Sequence, residues 1–390
     1  MGKTCVLFGA GADADYGIKC GNKFALNVIG EGTDEMNEAI KNFYSNLFKK
    51  TDNKWWLNDI KKVSKNNEEL LCKKLYKDSL RKKHLIEKYG IEEKLTIKEF
   101  EKQINDSYNK LKKRKDKKKE LLNSYASYME IIDEKFHCLI YPRYLGPDKF
   151  WSVVYCYCRA YLTIVNDLCA YAGYEKNYRA FLENPKENLK ALMEKIKAKE
   201  MMKDKERKDG KTYEYYHTIK TSLLENNDIK VITTNYTPLC QLVTGLTADK
   251  IAYVHGKLTF FESPYKSKVY DVEENGVDIP ANEIYFPYIF IQSGVKPIID
   301  SLQIKEYNKA VTFLEECDKL IIVGYKINID DNHISGLIRN LCENKKIIYL
   351  DYDNFGDETI KKLLRLDKID LFEYKKIDES NAKEEFRRIL

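Results

Sequence analysis

Five short apolar runs constrain this chain more than any other feature: Cys5–Phe8, Lys230–Thr234, Ile251–Val254, Lys319–Val323 and Lys346–Leu350. None has a regularly alternating polar face, so each reads as a strand buried on both sides. Small or polar residues follow every one of them: Gly9-Ala10-Gly11, Asn235, His255-Gly256, Gly324 and Asp351. Helical sequence separates several of the runs. This is the pattern of a parallel sheet in an open α/β fold, whose ligands bind beyond the carboxyl ends of the strands.

The first run ends at Phe8 and the second begins at Lys230, and the sequence between them has a different character. Gly and Pro are sparse there, and apolar residues recur at helical spacing, as in Met36, Ile40, Phe43, Tyr44 and Leu47 or in Leu182, Leu189, Leu192 and Ile196. The expected organisation is a Rossmann-like α/β domain from residues 1–30 and 228–390, with a large mainly helical insertion over 31–227. Pro142, Gly146 and Pro147 mark a break within the insertion, and Phe150–Ala172 reads as a buried helix. The dense basic run Lys110–Lys119 fits either nucleic acid or the solvated face of a long helix. No aromatic residues interleave with its charges, which favours the solvated face. The stretch Ile284–Asp300 reads as a strand leaving the sheet into a loop.

A chain of 390 residues can bury a large core, and no apolar run approaches the roughly 18–20 residues of a membrane span. The N-terminus enters a strand directly, without the pattern of a secretory signal. The ten cysteines lack repeating spacing, and several sit in apolar contexts, as expected of reduced thiols in the cytoplasm. Cys156-x-Cys158 has neither the spacer nor the second pair of a zinc site, so no metal is expected. The net charge of +6 is too small at this length to indicate nucleic acid by itself.

Taken alone, Gly9-Ala10-Gly11 is either a cradle for a pyrophosphate or a tight strand-to-helix turn. A dinucleotide-dependent dehydrogenase would use an acid about twenty residues later, and Glu31, Asp34 and Glu35 lie there. It would also need regular strand–helix units in the stretch that reads as helical. In order along the chain, Gly9-Ala10-Gly11, Thr233-Thr234-Asn235, His255-Gly256 and Gly324 resemble the sirtuin-like NAD-consuming family. They look most like its bacterial branch that hydrolyses NAD+ in anti-phage defence. The resemblance covers about residues 1–30 and 228–355. It implies a catalytic base at His255 and a ribose- or water-positioning amide at Asn235. It places the cofactor-binding role on Gly9, Ala10, Gly11, Ala12, Asp13, Gly17, Thr234, Gly324 and Asp351. It also implies NAD+ as substrate, self-assembly into a homo-oligomer and, as in some relatives, a HerA-like ATPase partner.

The chain departs from the family at three places. Lys19-Cys20 follows Gly17-Ile18 where deacetylating members carry Pro and an acid-aromatic-Arg triplet. Asp13 stands where the loop usually has Ser, and Thr237 stands where the family has Asp after Asn-x. The four-cysteine zinc module of the deacetylases is absent, so the implied activity is glycohydrolysis with water as acceptor. That reaction breaks the bond to a leaving group that is already cationic in NAD+ and needs a held ribose, a stabilised oxocarbenium-like carbon and a placed water. A His of near-neutral pKa suits the base, and Asn supplies donor and acceptor without charge. Without the resemblance, Asn235 is equally an N-cap, whereas the scarcity of histidine and its strand-end position favour a catalytic His255 over a structural turn residue. His333, in Ile329-Asp330-Asp331-Asn332-His333, reads as the start of a capped helix rather than a site. The competing classes are a non-catalytic subunit that senses NAD or ADP-ribose or acts as a scaffold, and a nuclease subunit.

Overall fold

The computed structural model describes residues 2–20, 24, 28, 34–50, 147–206, 214–225, 228–263, 266, 268–274, 276–289, 300–327, 332–352, 355–366 and 369–390. The basic run Lys110–Lys119 and the break at Pro142 lie outside them. In chain order come β1 (Thr4–Phe8), a 3-10 helix (Ala10–Tyr16), and helices α1 (Asp34–Lys50), α2 (Pro147–Ala172), α3 (Tyr178–Glu183), α4 (Pro185–Glu206) and α5 (Tyr215–Leu224). Then follow β2 (Ile229–Thr233), α6 (Leu239–Thr244), β3 (Ile251–Tyr253), β4 (Gly256–Ser263), β5 (Lys268–Asp271) and β6 (Phe286–Ile289). The chain closes with α7 (Ser301–Glu316), β7 (Lys319–Val323), α8 (Asn332–Cys342), β8 (Lys346–Asp351), α9 (Asp357–Leu364), β9 (Phe372–Lys376) and α10 (Ala382–Ile389).

Six strands pair in the order β3-β2-β1-β7-β8-β9, all parallel. Renumbered within the sheet this is 3-2-1-4-5-6, the doubly wound Rossmann-like order. Burial on both faces explains why the runs lack polar alternation. Val6, Phe8, Ile321 and Val323 face one core, whereas Cys5, Leu7, Leu320 and Ile322 face the other. Helices α7, α8 and α9 cover the second face through Phe313, Ile338 and Ile360. The first face packs on α5, α6 and α10 through Tyr216, Val243 and Phe386, and on the long helical segment through Tyr161, Phe181 and Ile196.

Local chemistry sets the helix boundaries. Asp300 caps α7 by accepting a hydrogen bond from the Leu302 N–H at 2.6 Å. Asn177 does the same for α3 from the Ala180 N–H at 3.1 Å. Gly245, at φ 75°, ends α6 in the left-handed conformation. Over the described part of 31–227 the chain is helical, as its periodicity predicts.

Two features extend the sequence-based picture. The sheet has a sixth strand, β9, on its edge. A second sheet, antiparallel in the order β5-β4-β6, follows β3. The apolar stretch from Ile284 supplies β6 to this second sheet instead of leaving the parallel one, and residues 290–299 lie outside the description.

Candidate functional site

The strand order reverses between β1 and β7, the place where open α/β sheets form their ligand crevice. Three glycines lock the two loops that leave these strands. The Gly9 N–H donates to the Val323 carbonyl and the Gly11 N–H to the Gly324 carbonyl, both at 2.9 Å. A Cβ on Gly9 would lie 2.3 Å from Tyr325 Cα, and one on Gly324 would lie 2.6 Å from the Ala12 nitrogen. Gly324 also holds φ at 61°, which side chains disfavour. The small residues expected to admit a phosphate therefore first admit the neighbouring loop. Ala10 remains exposed at the tip, and Gly17, at φ 72°, closes the 3-10 helix.

The carboxyl ends of the remaining strands line up along the same edge. Thr234 at the end of β2 ties back to the Phe8 carbonyl through its N–H at 3.0 Å. Asn235 follows it, its N–H donating to Thr233 Oγ1 at 3.0 Å. The turn after β3 is stitched to this segment by the Val254 N–H on the Thr233 carbonyl and the Leu258 N–H on the Tyr236 carbonyl. His255 thus stands beside Asn235, at the ends of adjacent parallel strands. Asp351 ends β8 on the far side of β7, and its Oδ2 accepts from the Phe355 N–H at 2.5 Å and from the Tyr374 hydroxyl at 2.7 Å. From β3 to β8 the row spans four strand spacings, roughly 19 Å.

The sequence does not show how these side chains are held. Asp13 is turned inward and is only 2% exposed. Its Oδ1 accepts from the Tyr216 hydroxyl at 2.5 Å and its Oδ2 from the Thr237 hydroxyl at 2.6 Å. The Asn235 amide nitrogen donates to the Tyr216 oxygen at 3.3 Å. Burial pushes the Asp13 carboxyl up to about 6, against the hydrogen bonds from Thr237, Tyr216 and Asn235 that pull it down. Asp13 and Thr237, two of the departures from the family pattern, are partners. The carboxylate therefore lies beneath the loop and faces protein groups.

His255 is buried, and its Nε2 lies 3.1 Å from Nε2 of His333, in the first turn of α8. His333 begins a helix, as its sequence context predicts, and its ring also contacts His255, which the sequence does not show. A glycine after His255 could admit either a ligand or a neighbouring backbone. The φ of 89° at Gly256 and the Tyr288 carbonyl, 2.6 Å from a hypothetical Cβ, show that it admits the backbone of β6. Asp34 starts α1 and Glu35 lies exposed on it, so neither occupies the end of β2 as a dehydrogenase acid would. Among the described residues no group of three or more His, Cys, Asp or Glu is arranged to hold a metal ion. Among them, too, no helix is long and apolar enough to cross a membrane.

No protein-family model matches the chain, and no curated protein matches it. A solved structure, "Structural Basis for the Mechanism and Regulation of Sir2 Enzymes", overlaps 53% of this chain and 79% of its own at 16% identity, with a TM-score of 0.29. An overlap that slight carries no argument. The Rossmann-like class rests on the strand order alone.

Proposed function

We propose that the chain is an NAD+ glycohydrolase that releases nicotinamide and ADP-ribose. The observation that carries this reading is the placement of Asn235 and His255 at adjacent strand ends beside the interlocked Gly9–Gly324 crevice. A dinucleotide laid across the crevice would meet the Gly9–Ala12 loop with its pyrophosphate and the Asn235–His255 side with its nicotinamide ribose. Asn235 would hold a ribose hydroxyl or the attacking water, and His255 would take a proton from it. The nicotinamide leaves as a neutral molecule, so no acid is required. Incubating the pure protein with NAD+ and following nicotinamide by chromatography tests the proposal; absence of product, with and without candidate activators, removes it.

A second reading has its own observation. The Gly9 and Gly11 N–H groups are spent on the β7 loop, and His255 Nε2 is engaged by His333. A subunit that binds NAD or ADP-ribose without turnover fits that arrangement, and calorimetric binding without product selects it. Unchecked NAD+ hydrolysis kills a cell, so we further propose that the activity is held off until triggered and serves anti-phage defence by NAD+ depletion. Self-assembly into a homo-oligomer and a HerA-like ATPase are the proposed routes of control. Light scattering, alone and with products of neighbouring genes, tests both.

A further inference from the structure

We propose that Asp13, acting through Tyr216, is the positioning residue that fixes which face the Asn235 amide turns to the crevice. This rests on the reading that Asn235 meets the ligand. The argument is one of proton counting. Tyr216 has a single hydroxyl proton, and burial together with the charge on Asp13 keeps the phenol protonated by pushing its titration upward. At 2.5 Å that proton is committed to Asp13 Oδ1. Only lone pairs remain on the Tyr216 oxygen, so the group of Asn235 beside it, 3.3 Å away, must be the NH2. The amide oxygen then lies on the opposite side, as an acceptor.

An acceptor there selects a ligand that donates, such as a ribose hydroxyl or a water molecule. Thr237 spends its own proton on Asp13 Oδ2 and so reinforces the direction of the chain of bonds. Protonating Asp13 reverses the logic. A neutral carboxyl donates to Tyr216, Tyr216 can donate onward, and the Asn235 amide is free to turn its NH2 outward. The ionisable groups around Asp13 are Tyr216 on α5, Cys240 on α6, Tyr253 on β3 and Tyr16 on its own 3-10 helix. Burial raises all four, so Asp13 is the one of this set that changes charge near neutrality.

The test uses the full chain labelled with 15N-asparagine, with the Asn235 side-chain signal assigned by its loss in Asn235→Ser. In wild type the signal should move with one midpoint near pH 6, the value for Asp13, stay flat in Asp13→Asn, and move markedly less in Tyr216→Phe, where only the direct Asn235–Asp13 interaction remains. Circular dichroism checks that each variant folds; if one fails, Thr237→Val, which should shift the midpoint upward, replaces it. ADP-ribose binding by calorimetry should weaken about five- to tenfold from pH 7.5 to 5 in wild type, one hydrogen bond's worth. Tyr216→Phe should show a markedly smaller change. A wild-type signal that does not move between pH 5 and 8, or that moves equally in both variants, overturns the proposal. The nuclear magnetic resonance arm contains no nucleotide. Coupled titration without NAD+ turnover therefore upholds the network while the glycohydrolase reading falls.

Discussion

Asn235 and His255 end neighbouring strands, yet the protein holds them by opposite means. Around Asn235 the donors and acceptors are matched in one direction, from amide to phenol to carboxylate, deep in the core. Around His255 two imidazoles point the same nitrogen at each other, and only one proton fits between them. The Asn235 side is set before any ligand arrives. On the His255 side Nε2 is already engaged by His333, so acting as the proposed base would require that contact to break. Under the proposed function, positioning would fall to the Asn235 network and control to the His255–His333 contact.

The comparison breaks first if neither residue matters. His255→Ala and Asn235→Ala should each lower nicotinamide release about 10³-fold without unfolding the chain. Wild-type rates in both would remove the site. Next in size is the cost of the preset side. The folded chain keeps the Asp13 proton up to about pH 6, whereas an ordinary aspartate releases it near 3.8. Its contribution to stability is therefore greatest below 3.8, falls as pH rises to about 6 and is level beyond. Thermal unfolding from pH 4 to 7 should show wild type losing about 2 kcal/mol relative to Asp13→Asn. A constant difference would deny the buried charge. The smallest effect sharpens the His255 side. Opening the imidazole contact costs about one hydrogen bond, so His333→Ala should raise basal nicotinamide release about fivefold. A fall in rate would make His333 a helper of the base instead of a restraint on it.

The five strands and their ordering at one edge were legible because, apart from a lysine at or near the start of β2, β7 and β8, each is buried on both faces. β9, Phe-Glu-Tyr-Lys-Lys, hid because an edge strand keeps charges. The antiparallel sheet hid behind Gly256, whose missing side chain has two explanations in sequence and one in space. Asn235 and His255 were recognisable by type and order, but their partners were not. Tyr216 lies 203 residues from Asp13, and His333 lies 78 residues from His255 behind an acidic stretch that looks like a helix start. Nothing local marks such pairs. Asp13 and Thr237, each awkward when read alone, make sense only as a couple.

The position of β1 in the sheet has a consequence for how the protein is made. β1 is synthesised first, yet its two neighbours begin at Ile229 and Lys319. At roughly 5–20 residues per second, the ribosome needs about 15–60 s to deliver the second of them after Phe8 emerges. For about 11–45 s, until β2 follows, both edges of β1 are bare, and one stays bare until β7 arrives. A nascent chain in this state is a natural client for a chaperone, and its yield should depend on translation speed more than on final stability.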